Sequence, residues 1–149
     1  MRTIIDDKYL SELCKSYYDL KYSFFGIIEE MCKKEGLTVM QAMMLFLIRS
    51  EKSVSVGELS GYLNITNSNA SVLCKKLEKD ELLSRQRSKT DERTVIITVS
   101  EKGSDMLERM LERSRIFSNS IADIPCERLD AILSTINEAT ELLTRLRPE

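Results

Sequence analysis

A mainly α-helical chain with one small β-hairpin is the fold class that this sequence predicts, on three observations. Glycine and proline are scarce, five and two among 149 residues, so little interrupts helix. Apolar residues recur at alternating steps of three and four over long stretches near both ends, the spacing of helix faces. Between those stretches, Leu82–Arg87 and Thr94–Val99 change the period, the second strongly β-branched, as strands do.

Composition bounds the function. With 42% hydrophobic and 31% charged residues, the chain is one domain's worth and is expected to fold around its own core. The run Val39–Ile48 is broken by Gln41 and is too short to span a bilayer. The N-terminus MRTIIDDKYL lacks the apolar centre of a signal peptide, so a cytoplasmic location with no membrane partner is expected. The chain has no histidine, and its four cysteines (Cys14, Cys32, Cys74, Cys126) form no C-x-x-C pair. Both facts count against a zinc site, and the first excludes histidine-based catalysis. No nucleophile–base or metal constellation is present, so neither an enzyme nor a cofactor is expected.

In chain order, Leu10, Leu13, Tyr17, Leu20, Phe24, Ile27 and Met31 form a heptad seam, which wants a second helix against it. Gly36 after Lys33-Lys34 is a helix stop. Thr38 with Gln41 makes a capping box, opening a helix lined by Met40, Met43, Met44 and Leu47 and ending near Arg49 or Ser50. The methionines read as core packing in preference to an adaptable ligand pocket. Ser53-Val54-Ser55 suits a very short strand.

Ser55 with Glu58 is another capping box, starting a helix that ends near Asn64, a residue tolerant of the left-handed conformation. Thr66 then caps a second helix to Asp80. Its Ala70, Leu73, Cys74 and Leu77 share one face, and Asn67, Ser68, Ser71 and Lys75 the other. That is a helix-turn-helix. The two strands around the tip Ser88–Glu92 make a wing. Ser100 caps a further helix carrying Met106, Leu107, Met110, Leu111, Phe117 and Ile121 and ending before Pro125. The last helix repeats the seam at Leu129, Ile132, Ile136, Ala139, Leu143 and Leu146 and stops at Pro148.

Charge is distributed unevenly. The formal net charge is −2, yet Thr66–Arg93 carries seven basic residues against five acidic, and Ser104–Glu149 six against nine. The N-terminus of the Thr66 helix suits a phosphate. Asn67, Ser68, Asn69 and Ser71 can hydrogen-bond base edges. Lys75, Lys76 and Lys79 suit phosphates, and a wing-tip arginine suits a narrow A·T-rich minor groove. Arg85 has an alternative, pairing with a carboxylate.

The run LTVMQAMML, then VGELSGYLNITNSNASVLCKKLEKDELLSRQRSKTDERTVIITVSEKG, resembles the multiple antibiotic resistance regulator (MarR) family of bacterial winged-helix transcription factors. Its most specific piece is R-x-R-S-x-x-D-x-R, from Arg85 through Arg87, Lys89 and Asp91 to Arg93, followed by V-S-E-K-G. The resemblance implies a winged helix-turn-helix in an intertwined homodimer that reads a pseudo-palindromic operator in double-stranded DNA. It makes 1–149 one winged-helix domain, with 36–100 the DNA-binding lobe and 1–35 and 101–149 the dimerisation helices. Leu10, Leu13, Tyr17, Leu129, Ile132, Ile136 and Leu143 would then line the interface. Thr66–Asp80 would enter the major groove, and Arg93, steadied by Asp91, the minor groove. A repressor of a nearby gene, released by a small apolar effector, is the function implied.

The sequence departs from the family pattern at Glu81, where glycine is usual, and this puts the exit angle of the wing in question. Two other readings stand beside the main one. One is a winged-helix protein-interaction module without DNA. The other is a peroxide sensor using Cys14 beside Tyr17 and Tyr18; against it, Ala42 stands where a partner tyrosine is expected. A buried, inert thiol is the preferred reading for Cys14, and more so for Cys74.

Overall fold

The computed structural model describes residues 7–87, 95–117 and 124–145, with 114–117 described as backbone only. Among the described residues, six helices and three strands follow the predicted order: α1 Asp7–Cys32, α2 Val39–Glu51, β1 Val54–Ser55, α3 Val56–Leu63, α4 Asn67–Lys79, β2 Leu83–Arg87, β3 Val95–Val99, α5 Glu101–Phe117 and α6 Cys126–Arg145. The chain divides into two compact units, Met1–Ser114 and Arg115–Glu149. The predicted helix residue Ile121, the seam residue Leu146 and the wing tip lie outside the described residues.

In the first unit, the core is built from Ile28, Met31 and Cys32 of α1, Met44, Leu45 and Ile48 of α2, Leu59, Leu77 and Ile97, closed by Leu107 and Met110 of α5. Met31, expected on the seam, packs in this core instead, beside Ile28 and Cys32. The end of α1 turns inward because the Gly36 stop, at φ +68, brings α2 back against it. The methionine cluster divides. Met44 is fully buried, whereas Met40 borders a cleft of about 310 Å³ with Ile65, Asn69, Val72 and Leu73.

Both predicted capping boxes form. Thr38 Oγ1 accepts from Gln41 N–H while Thr38 N–H donates to Gln41 Oε1; Ser55 and Glu58 repeat the exchange. The backbone and hydroxyl donors of Ser55 hold the Glu58 carboxyl below its ordinary pKa, because they stabilise the charged form. The three strands form an antiparallel sheet in the order β1-β3-β2. Its register sets Val54 opposite Ile97 and Leu83 opposite Val99. Ile97 and Leu83 thereby point into the core, while Gln86 and Arg87 stay exposed.

A buried charge fastens α5 to the turn after α1. The Glu35 side chain, 7% exposed, lies 2.7 Å from Arg113 Nη1 and 3.2 Å from Arg109 Nη2. The Arg109 contact is a directed hydrogen bond. Arg113 Nη1 makes none, so that closer contact is Coulombic. Arg49 adds a second tie, donating to Glu108 at 2.7 Å.

Candidate nucleic-acid interface

The turn between α3 and α4 is made by local chemistry. Asn64 sits at φ 50, ψ 47, the left-handed region that asparagine tolerates. Its N–H donates to Gly61 O and that of Ile65 to Ser60 O, the paired bonds of a Schellman end. Thr66 then caps α4, its hydroxyl accepting from Asn69 N–H at 3.2 Å. Ala70, Cys74 and Leu77 are buried, and this anchors one stripe of α4 while the opposite face stays open.

On that open face Thr66, Asn67, Ser68, Asn69, Lys75, Lys76 and Lys79 are all exposed, and Ser71 is half-buried at its edge. An open cleft of about 590 Å³ runs between Val56–Gly57 and the side of α4 that carries Asn67, Ser68, Ser71 and Lys75. Ser60, on α3, reaches across to the Asn67 side chain at 2.6 Å. Sequence reading passed over Val72. It is 66% exposed, near the centre of the outward face, flanked by Ser68 and Lys75. The signal was available: at 100° per residue, position 72 falls opposite the stripe of Ala70, Cys74 and Leu77. An exposed methyl pair there suits a thymine methyl.

The exit from α4 answers the question raised by Glu81. Its φ is +62, so the glutamate takes the conformation that glycine would adopt freely. The helix ends in a second Schellman pair, Glu81 N–H to Glu78 O and Leu82 N–H to Leu77 O, and both leucines are buried. Ser100 Oγ donates to Glu81 O at 2.6 Å, and Lys102 Nζ to Glu81 Oε2 at 2.9 Å. The Lys102 bond and charge hold the Glu81 carboxyl below its ordinary pKa. The left-handed backbone is thus retained, tied to the head of α5.

Gly103 completes that joint. A Cβ there would lie 2.2 Å from Leu82 O and 2.8 Å from Val99 Cγ1, so the glycine of V-S-E-K-G is a packing requirement.

Of the basic residues on the strands, Arg85 is three-quarters shielded and lies 3.6 Å from Glu78, the carboxylate pairing that its sequence left open. Arg87 is exposed at the end of β2. Lys89, Asp91 and Arg93 lie outside the described residues.

Apart from Met31, the described seam residues are exposed in each unit. Leu10, Leu13 and Tyr17 on α1 are joined by Leu20, Phe24 and Ile27; Leu129, Ile132, Ile136 and Leu143 line α6, with no residue of α6 buried. Cys74 is buried as expected, its sulfur 4.0 Å from that of Met44. Cys14 departs from expectation: it is exposed on α1, because only the end of that helix enters the core. Among the described residues, no helix is long and apolar enough to cross a membrane.

Comparison with known proteins agrees with this architecture. Residues 26–110 match the family described as transcriptional regulator SarA/Rot. The chain is 32% identical to the HTH-type transcriptional regulator SarZ of Staphylococcus haemolyticus over 100 residues, 66% of this chain and 68% of that one. Among solved structures, it superposes on Staphylococcus aureus MarR in complex with salicylate and kanamycin with a TM-score of 0.73, at 17% identity, over 95% of this chain and 96% of that one. It also superposes on reduced AbfR bound to DNA with a TM-score of 0.67, at 23% identity, over 93% and 94%. The fold is therefore the MarR winged helix, and the chain belongs to the SarA/Rot family of transcriptional regulators.

Proposed function

We propose that this protein is a homodimeric, sequence-specific double-stranded DNA-binding regulator that reads a pseudo-palindromic operator through α4. The observation that carries the reading is the outward face of α4. Exposed amide, hydroxyl and lysine side chains cover it while its other face is locked in the core. Asn67, Ser68, Asn69 and Ser71 read base edges, and Lys75, Lys76 and Arg87 neutralise phosphates. Arg85, on β2, supports this role through its pairing with Glu78 of α4. Lys89, Asp91 and Arg93 carry the minor-groove part by family resemblance. Residues 36–100 are the DNA-binding lobe, and the exposed seams on α1 and α6 are covered by a second copy of the chain. Following that resemblance, the regulator represses a neighbouring gene and a small apolar effector releases it.

Binding to the duplex upstream of its own coding region, measured against salt, tests the reading. The affinity is expected to fall steeply as salt rises, and Lys75→Ala to reduce the slope by about one while weakening all sequences alike. No binding at low salt would remove the proposal.

A second reading, thiol-based sensing of peroxide by the same regulator, is favoured by one observation, the exposure of Cys14 beside Tyr17 and Tyr18, whose rings meet edge to face at 5.2 Å.

A further inference from the structure

Ser60 Oγ lies 2.7 Å from Gly57 O and 2.6 Å from the Asn67 side-chain oxygen. A serine hydroxyl has one hydrogen to donate and two lone pairs to accept with. Both of these neighbours are acceptors, so one hydrogen serves two oxygens and one contact is left as bare oxygen against oxygen. The Gly57 carbonyl can only accept. The Asn67 amide has a choice, because its oxygen and nitrogen exchange places on half a turn and are told apart by their hydrogen-bond partners. With the amide turned, every group is satisfied: Ser60 O–H donates to Gly57 O, and Asn67 Nδ2–H donates to Ser60 Oγ.

We propose that Ser60 is a positioning residue that sets base preference by holding the Asn67 amide with its nitrogen toward α3 and its oxygen free to accept from a base. The inference rests on the DNA-binding reading and narrows it to a chemical class of base. In the major groove adenine N6 and cytosine N4 are donors, whereas guanine O6 and thymine O4 are acceptors. An amide locked with its oxygen outward favours adenine or cytosine on the contacted strand. Guanine or thymine would set two oxygens against each other. Without the Ser60 hydroxyl the amide turns freely and accepts either class.

The test is selection from a randomised duplex library with the full chain, as wild type, Ser60→Ala, Ser60→Thr and Asn67→Ala. Wild type and Ser60→Thr, which keeps the hydroxyl, are expected to share one position per half-site where adenine or cytosine is preferred about tenfold over guanine or thymine. Ser60→Ala should lose that preference and retain the preferences at other positions; a merely structural role would weaken all positions together. Asn67→Ala should lose it as well. In wild type alone, an analogue of the selected base lacking the exocyclic amino group should cost the same factor, a measurement independent of whether Ser60→Ala folds. No cost from removing the exocyclic amino group on either strand at the position lost in Asn67→Ala, or a Ser60→Ala chain that selects like wild type, overturns the role of Ser60 and leaves DNA binding standing. Enrichment of no sequence by any chain overturns the DNA-binding reading itself.

Discussion

The four cysteines share one side chain and differ in what surrounds it. Cys32 and Cys74 are buried, and burial pushes both thiols above their ordinary pKa. The Glu29 charge adds to the rise at Cys32; at Cys74 Arg85 opposes it and Glu78 adds to it. Thiolate is the reactive form, so both are protected twice, by access and by protonation. Cys14 and Cys126 are exposed. Dilute peroxide at neutral pH, followed by peptide mass spectrometry, is expected to modify Cys14 and Cys126 before Cys32 and Cys74. Raising the pH should bring the buried pair into reaction later than the exposed pair, since burial raises both thiols. If Cys14 senses peroxide, its oxidation releases DNA and Cys14→Ser abolishes the response; an unmodified Cys14 ends that reading. Exposure at this position was not legible in the sequence, because a cysteine between Leu13 and Tyr17 is as compatible with a core as with a surface.

Elements were more legible than residues, because their ends are set by local chemistry. Ser55, Asn64 and Thr66 each mark a boundary by what a side chain or a left-handed backbone can do, and the structure ends its helices there. The β-branched run before Ser100 announced β3 for the same reason. Gly103 was visible only as a member of a motif. Its cause, a backbone carbonyl 21 residues earlier in the chain at Leu82, is a tertiary contact that no periodicity carries. The Ser60–Asn67 contact is of the same kind. Gly103→Ala is expected to lower stability by roughly 1–3 kcal/mol through overpacking, read as a shift of the urea midpoint. Gly61→Ala is the control: its Cβ meets nothing within 4 Å, so helix propensity should raise stability by up to about 1 kcal/mol. Equal midpoints for the two variants would remove the packing account of V-S-E-K-G.

Across the whole molecule the feature that most needs a partner is apolar. On α1 Leu10 is 53% exposed and Tyr17 57%, and on α6 Leu143 is 44% exposed, so each seam by itself is an apolar stripe of the kind that a partner covers. If a second copy covers it, Tm should rise with protein concentration. Leu13→Glu with Ile136→Glu should abolish that dependence and shift sedimentation to the single chain. A wild type that sediments as one chain at micromolar concentration would remove the dimer. The seams were legible as heptads, whereas the inward turn of Met31 was not, since a heptad does not say where its last residue finds its partner.

The joint at Gly103 has a mechanical consequence. With no clearance against Leu82 O, and with Ser100 and Lys102 gripping Glu81, the tail of α4 and the head of α5 turn as one cog. Close-packed contacts pass on displacement instead of absorbing it. A rotation of α5 is therefore expected to tilt α4, which carries Asn67 at its far tip.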